Sequence, residues 1–336
     1  MAKTARTGVL LVNTGSPSAP TPAAVKRYLA QFLMDPNVRP LPAPAWWFIL
    51  HAFILPKRKH ASAKKYREVW TAEGSPLLAA AAHLASRTES LLRERHGDAA
   101  PLVRAAMSYG EPSLGAVLPS LQAAGVERLV VIPLYPQSAR STSGAVMHRL
   151  RGELSRLAWA PDILEVACYG DEPLYLDALA DSIRDAGLDI AHDRVVFSFH
   201  SVPRPDVEAG DDYPQQVERT CTALADRLGL MRESWEFGFQ SPFEDNRTWV
   251  GPFTIERMGD LADRTRGNVF MICPGFSLDC LETLYDVNHE FRPAFENAAR
   301  KTEHPAEHRF TYVPCLNAGD AHVRLMAKLI EARLGA

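Results

Sequence analysis

Eight short apolar segments constrain the fold of this chain more than any other feature of its sequence. They lack the alternation of apolar and polar residues that is typical of a strand with one solvent-exposed face. Helical segments separate them. Continuous aliphatic and β-branched runs are typical of parallel strands buried on both faces. The eight segments are residues 8–13, 102–110, 127–136, 162–170, 194–200, 235–242, 268–276 and 309–317. The pattern predicts an α/β fold with two lobes, each built on a four-stranded parallel sheet flanked by helices.

The boundary between the lobes is predicted near residue 163, because four of the segments begin on either side of it. The expected domains are a first lobe over residues 1–162, a second lobe over 163–318, and a terminal helix within 319–336 that packs back on the lobes. The length of 336 residues and the apolar fraction of 46% suffice for a buried core in each lobe.

Charge and cysteine usage exclude several classes of protein. The formal net charge of −3 is spread along the chain, so nothing favours nucleic acid as a partner. The five cysteines, at 168, 221, 273, 280 and 315, form no C-x-x-C pair. Residues 1–12 show no signal-peptide pattern. We therefore expect a cytoplasmic protein without an iron-sulfur cluster.

The longest apolar run covers residues 45–55 and is shorter than the roughly 20 residues that a bilayer-spanning helix needs. It contains two tryptophans and is followed by the basic segment PKRKH. Two interpretations stay open: a segment at a membrane interface, on the inner face of the membrane, or a helix packed into the core with a solvated basic end.

Titratable residues follow two of the predicted strands. His200 ends the run VVFSF, where ligands bind in open α/β sheets, although a histidine there can also cap the following helix. A helix predicted to open at Asp279 would carry Glu282, Asp286 and Glu290 at steps of three or four residues on one face. That acidic ladder is either part of a site or a solvated helix face.

Imidazole and carboxylate ligands with open positions suit a first-row metal such as Fe(II), held loosely. The sequence has no G-x-G-x-x-G, P-loop or G-x-S-x-G motif after any strand, which argues against a nucleotide-phosphate site and a serine hydrolase. We therefore interpret His200 and Glu282 as a place where a metal passes or a proton is taken.

At these residues the chain resembles the ferrochelatases, which insert Fe(II) into a porphyrin late in haem synthesis. The resemblance runs from about residue 8 to about 325 and is carried by LLVNTGSP, EGSPL, LYPQSARSTSG, SFHSVP, DDYPQQ, FQSPF with WVGPFT, and CPGFSLDCLETLYDV. It implies two Rossmann-like lobes with a porphyrin cleft between them. It also implies a chelatase that makes protohaem from protoporphyrin IX, although coproporphyrin is not separated from protoporphyrin as the substrate.

The resemblance also implies roles for individual residues. His200 and Glu282 would be the catalytic pair, acting as proton acceptor and metal ligand, and the family leaves room for either of them to meet the metal. Asp279, Asp286 and Glu290 would form a ladder for protons or metal. Residues 40–60 match the porphyrin-holding lip. The positions matched to substrate binding are Thr14, Lys57, Arg58, Tyr66, Ser75, Tyr109, Ser138, Trp249 and Cys280. Fe(II) and the porphyrin would be substrates, no cofactor would be bound permanently, and contact with the membrane would be peripheral.

Several positions depart from the pattern of the family. Thr14 replaces a larger side chain, Ser108 stands where arginine usually precedes the tyrosine, and Ser138 with Arg140 replaces Y-S-x-T. An alternative is therefore a divergent tetrapyrrole-binding or delivery protein without turnover. A chelatase for cobalt or nickel in another tetrapyrrole pathway is a third interpretation, although such chains often lack the long lip.

Overall fold

A computed structural model describes residues 5–243, 245–265, 267–304 and 307–335. The chain divides into two compact units. One extends to Cys168 and takes up the chain again from Asn317, and the other is Tyr169–Leu316. Each unit contains a four-stranded, all-parallel sheet, which confirms the predicted fold class.

Strands and helices alternate along the chain as the sequence predicts. The strands are β1 Thr7–Asn13, β2 Leu102–Met107, β3 Arg128–Pro133, β4 Asp162–Glu165, β5 Arg194–His200, β6 Trp235–Gln240, β7 Asn268–Ile272 and β8 Arg309–Tyr312. The helices are α1 Pro22–Leu33, α2 Ala43–Ile49, α3 Leu55–Val69, α4 Pro76–His96, α5 Leu114–Ala123, α6 Ala145–Arg156, α7 Pro173–Asp185, α8 Arg204–Glu208, α9 Tyr213–Leu228, α10 Thr254–Arg264, α11 Arg292–Ala299 and α12 Asp320–Leu334. π-helical segments occupy Leu50–Ile54, Arg140–Gly144 and Glu282–Phe291, and short 3₁₀ turns occupy Gly97–Ala99 and Arg232–Ser234.

The two sheets repeat the same strand order, β2-β1-β3-β4 in the first unit and β6-β5-β7-β8 in the second. The second strand of each sheet in this order, β1 or β5, is covered on both faces, and its apolar residues are fully buried. Each such Val, Leu or Phe side chain contributes roughly 1.5–3 kcal/mol by leaving water. Burial on both faces explains why these strands read as unbroken apolar runs.

The first unit extends beyond the predicted boundary near residue 163. That boundary falls inside β4, and β4 pairs with β3 through Val130 and Leu164, so the first sheet keeps it and the unit runs on to Cys168. The terminal helix α12 is also an element of the first unit. It packs on α4, where Arg87 is paired with Asp320 and Arg95 Nη1 lies 2.9 Å from Glu331 Oε2.

Six of the eight predicted strands are longer in the sequence than in the structure. Their last residues lie in loops, and the paired strands end at Met107, Pro133, Glu165, Gln240, Ile272 and Tyr312. The loops lie at the carboxyl ends of parallel strands, which is the edge of a sheet where ligands bind. Tyr109 lies in one of these loops, whereas His200 is still the last residue of its strand. Within the described part of the chain, no helix is long and apolar enough to cross a membrane.

A buried histidine lies in α12. His322 is fully buried, and its Nδ1 lies 2.5 Å from the carbonyl oxygen of Asn317, to which it donates. Its Nε2 has no hydrogen-bond partner. Burial lowers the pKa of His322 to about 4. The imidazole is therefore neutral in the folded protein at neutral pH.

We expect the pH dependence of unfolding to report on His322. As the pH falls below the ordinary histidine pKa of 6.5, the unfolded chain takes up a proton that the folded chain refuses until about 4. The stabilisation is therefore present above pH 6.5 and is lost as the pH falls. Between pH 7 and 5 the free energy of unfolding should drop by roughly 2 kcal/mol more in the parent than in His322→Gln, measured with urea. Equal drops would contradict a buried neutral imidazole.

Candidate active site

His200 is the last residue of β5, and its ring is held in one orientation. Nδ1 lies 2.6 Å from the carbonyl oxygen of Ser201. A carbonyl oxygen only accepts, so Nδ1 carries the hydrogen and Nε2 keeps its lone pair. The hydroxyl of Tyr213 donates to the carbonyl of His200 at 3.0 Å, which fixes the backbone as well. The strand therefore presents an imidazole whose Nε2 can accept a proton.

Two aromatic rings flank this imidazole. The ring of Phe243 lies 5.9 Å from that of His200 and the ring of Trp249 lies 6.4 Å away, centroid to centroid. Trp249 Nε1 donates to Asp245 Oδ1 at 3.1 Å, and the guanidinium of Arg247 lies over the indole. The structure thus brings together His200 and Trp249, which the sequence had matched to one site.

The acidic helix begins later than the sequence predicts. Asp279 lies in the preceding turn, and the helix opens at residues 281–282 as a π-helix that runs to Phe291 and into α11. The predicted start at Asp279 is therefore wrong. The carboxylate of Asp279 instead accepts hydrogen bonds from Thr283 Oγ1 at 2.9 Å and from the Tyr312 hydroxyl at 2.6 Å. These bonds fasten the turn to the end of β8.

A proline lies two residues beyond two of the three π-helical segments. Pro293 lies two residues beyond the segment, and its ring nitrogen cannot donate to the carbonyl four residues earlier. The backbone N–H of Arg292 bonds to Val287, five residues back. Pro56 stands in the same relation to the π-helical turn Leu50–Ile54. Such segments are frequent at functional sites.

Three carboxylates remain on the π-helical segment, and they differ in their surroundings. Residues four apart stay close to one turn, so Glu282, Asp286 and Glu290 follow one another along it. Glu282 is half-buried, Asp286 is buried and Glu290 is exposed. Asp286 Oδ2 accepts a hydrogen bond of 2.7 Å from the hydroxyl of Ser241. The predicted ladder therefore keeps these three members, and Asp279 lies outside the helix.

The cysteines around this turn are thiols. Burial raises the pKa of Cys273 and Cys315, and burial together with the neighbouring Glu282 carboxylate raises that of Cys280. The thiolate is the form that binds metals and attacks as a nucleophile. Among the described residues, no group of three or more His, Cys, Asp or Glu side chains is arranged to hold a metal ion.

The strand ends of the first unit carry hydroxyl groups and a buried tyrosine. The hydroxyls of Thr14, after β1, and Tyr135, after β3, are hydrogen-bonded to each other. Tyr109, after β2, is buried with its ring 5.1 Å from Phe32. Burial and the carboxylate of Asp35 raise the pKa of Tyr109 far above its usual value, so its hydroxyl stays protonated.

A cation that the sequence analysis missed lies against Tyr109. The guanidinium carbon of Arg149, in α6, is 4.9 Å from the centroid of the Tyr109 ring, and Nη1 is 4.0 Å from Asp35 Oδ2. The neighbouring residue of Tyr109, Ser108, is buried. The spacing of HRLR in a helix gives no sign of the contact between Arg149 and Tyr109.

The remaining predicted substrate positions lie in the first unit. Lys57 is exposed on α3, Arg58 and Tyr66 on the same helix are half-buried, Ser75 is buried at the start of α4, and Ser138 is half-buried before the π-helical turn. Tyr66 packs edge-on against Trp70, with ring centroids 6.2 Å apart.

The apolar run 45–55 forms α2 and the π-helical turn that follows it, and it divides into inner and outer residues. Trp46 is only 6% exposed and donates from Nε1 to the carbonyl of Leu33 at 2.6 Å, so it is a core residue. Trp47, Phe48 and Phe53 are 54%, 59% and 59% exposed. The segment packs into the unit on one side and presents aromatic rings on the other.

Comparison with known proteins identifies the family. The ferrochelatase family model matches residues 6–334. The chain belongs to the ferrochelatase family. It is 42% identical over 326 residues to the ferrochelatase of Edwardsiella ictaluri, with 97% of each chain covered. It is 39% identical over 331 residues to that of Actinobacillus pleuropneumoniae serotype 5b, with 98% of this chain and 99% of the relative covered.

A solved structure supports the same architecture. SirB from Bacillus subtilis with Fe³⁺ superposes with a TM-score of 0.59, 12% identity and coverage of 98% of this chain and 95% of that one. At 12% identity, this similarity shows only that the two folds are alike. Membership of the family makes the protein an enzyme that inserts metal into porphyrin in haem synthesis, with a porphyrin and ferrous iron as substrates.

Proposed function

We propose that this ferrochelatase inserts Fe(II) into protoporphyrin IX, with His200 accepting pyrrole protons and Glu282 ligating the incoming iron. One observation carries the proposal. The Ser201 carbonyl holds the hydrogen of His200 on Nδ1 and leaves Nε2 as the acceptor, at the ligand-binding edge of the sheet. A carrier would need no base so arranged.

The chemistry requires a base and a distorted macrocycle. A free-base porphyrin must give up its pyrrole protons and bend out of its plane before a metal enters. Binding energy from the large apolar ring can be used to bend it. Glu282 is half-buried at the first position of the π-helical segment, Asp286 after it is buried, and Glu290 is exposed. We propose this row as the route by which protons leave or iron arrives.

The first unit would supply most of the porphyrin contacts. Thr14, Ser138 and Tyr109 lie after its strands, and Lys57 and Arg58 on α3 offer cations to the propionates. We propose four further contacts with the porphyrin, made by Ser75, Tyr66, Trp249 and Cys280. The exposed aromatic residues Trp47, Phe48 and Phe53 favour the more apolar protoporphyrin over coproporphyrin, which carries twice as many propionates.

We expect His200→Ala and Glu282→Gln each to lower the rate of metal insertion by about 100-fold or more, the scale of a positioned acid or base. Porphyrin affinity should stay close to that of the parent, because it comes mainly from the apolar macrocycle. The double variant should lose little beyond the worse single variant, since groups that act together are not additive. Absorbance reports insertion of Fe(II) or Zn(II), and fluorescence quenching reports porphyrin binding.

The same assay on protoporphyrin and coproporphyrin tests the choice of substrate. A parent that binds porphyrin and never metallates it would contradict the enzyme and favour the divergent tetrapyrrole carrier. Faster insertion into coproporphyrin would refute only the proposed porphyrin.

We also propose that α2 and the turn after it make peripheral contact with a membrane. Three exposed aromatic side chains lie beside the basic residues 57–59, which is the composition of interfacial segments. A poorly soluble substrate and product would gain from such a contact.

Replacing Trp47, Phe48 and Phe53 with serine should sharply reduce cosedimentation with anionic liposomes, because the variant loses the side chains that enter the interface. The fold should persist, since all three are exposed. A matched control replaces three exposed apolar residues of the second unit with serine. They are Leu174, Ile190 and Met231, whose exposed fractions are 37%, 52% and 66%. If the aromatic variant sediments as the parent does, or the control loses as much binding, α2 is not the membrane contact.

A further inference from the structure

We propose that Gln240 is a positioning residue that holds the backbone of Glu282 in a fixed relation to that of His200. The inference rests on the proposed function, because it concerns how the proton acceptor and the metal ligand are kept in place. Gln240 is the last residue of β6 and is buried. Its proposed role is exerted through other residues and not through contact with a substrate.

The backbone of Gln240 fixes the His200 side of the site. His200 and Gln240 are register partners across the parallel pair β5 and β6. Where the strands end, the carbonyl of Gln240 accepts a hydrogen bond of 2.8 Å from the N–H of Ser201. Ser201 is also the residue whose own carbonyl receives Nδ1 of His200. One hydrogen bond therefore joins the backbone of Gln240 to Ser201, the residue whose carbonyl orients the imidazole.

The side chain of Gln240 fixes the Glu282 side. Its Nε2 donates to the carbonyl oxygen of Glu282 at 3.1 Å, at the first residue of the π-helical segment. Because that carbonyl only accepts, the amide nitrogen must face it. One residue thus bonds to the chain beside His200 and to the chain at Glu282.

The buried hydroxyl of Ser198 holds the amide in this orientation. Ser198 Oγ donates to Gln240 Oε1 at 2.5 Å and lies 2.9 Å from Thr254 Oγ1. Gly238 admits Thr254 to this position, since a Cβ there would lie 2.8 Å from Thr254 Oγ1. Both ends of the amide are bonded, so it has little freedom to turn.

The neighbouring residue makes a second attachment to the same segment. Ser241 adopts a left-handed backbone conformation, with φ of 57°, which is unfavourable for any residue except glycine. In that conformation its hydroxyl donates to Asp286, four residues after Glu282. The strained turn and the buried amide both fasten the end of β6 to the π-helical segment, as expected where strain serves a site.

Gln240→Leu tests the proposal, with Thr254→Val as its matched control. Both variants remove one buried polar group from the same network. Only Gln240→Leu also removes the hydrogen bond to the carbonyl oxygen of Glu282. In Gln240→Leu we expect the turnover number to fall about 10- to 100-fold while porphyrin affinity stays near that of the parent, because misplacement of a reacting group costs rate. Hydrogen-deuterium exchange over residues 282–291 should also accelerate. Thr254→Val should keep turnover within about twofold and leave that exchange unchanged.

Both readouts must move in Gln240→Leu for the inference to stand. Turnover or exchange that stays at the value of the parent overturns it. So does a Thr254→Val variant that matches Gln240→Leu in both, since the amide would then serve only the stability of the core. Thermal unfolding of all three proteins ensures that each is assayed folded. If the parent metallates no porphyrin, the proposed function fails, and the exchange measurement alone decides on Gln240.

Discussion

The pairing of β5 between β6 and β7 is the constraint on which the second unit depends. It buries β5 on both faces, ends the strand at His200, and aligns that residue with Gln240 on the neighbouring strand. A parallel sheet brings all its carboxyl ends to one edge, so the loops after β5, β6 and β7 meet there. The fully buried Phe197 and Phe199 stabilise the strand that carries the imidazole.

The π-helical segment is the second feature that the site needs, and it is held from both sides. Gln240 and Ser241 attach it to β6, while Tyr312 and Asp279 attach the turn before it to β8. Buried polar side chains whose hydrogen bonds are all satisfied rigidify the segments that they join. A carboxylate at the first position of such a segment is therefore well placed to meet a reacting atom repeatedly in the same geometry.

Much of this arrangement could be predicted from the sequence, and the limits have physical reasons. Unbroken apolar runs indicated both parallel sheets because burial on two faces leaves no alternation. The spacing of the acidic residues wrongly placed Asp279 on the helix. Spacing alone does not show that the hydroxyl of Tyr312 donates a hydrogen bond to the Asp279 carboxylate. Pro293 removes a backbone donor after the π-helical segment, but the π-helical turn Arg140–Gly144 has no such proline, so a proline alone does not predict this geometry.

Contacts between residues distant in sequence were beyond such reasoning. Arg149 lies over Tyr109 although forty positions separate them in the sequence. Trp46 and Trp47 are neighbours of the same type, yet one is core and the other exposed, because a helix turns successive side chains in different directions. Gln240 lies in the FQSPF motif, but the motif gave it no role, since its role comes from bonds to two other segments.

The central claim is that the end of β5 delivers an imidazole whose Nε2 is the proton acceptor. A ¹⁵N NMR spectrum of protein labelled in its histidine rings, recorded at pH 8 and assigned with His200→Ala, tests this most directly. The hydrogen bond to Ser201 predicts that Nδ1 of His200 carries the hydrogen and that Nε2 gives the signal of an unprotonated nitrogen. The opposite tautomer, with the hydrogen on Nε2, would contradict the account.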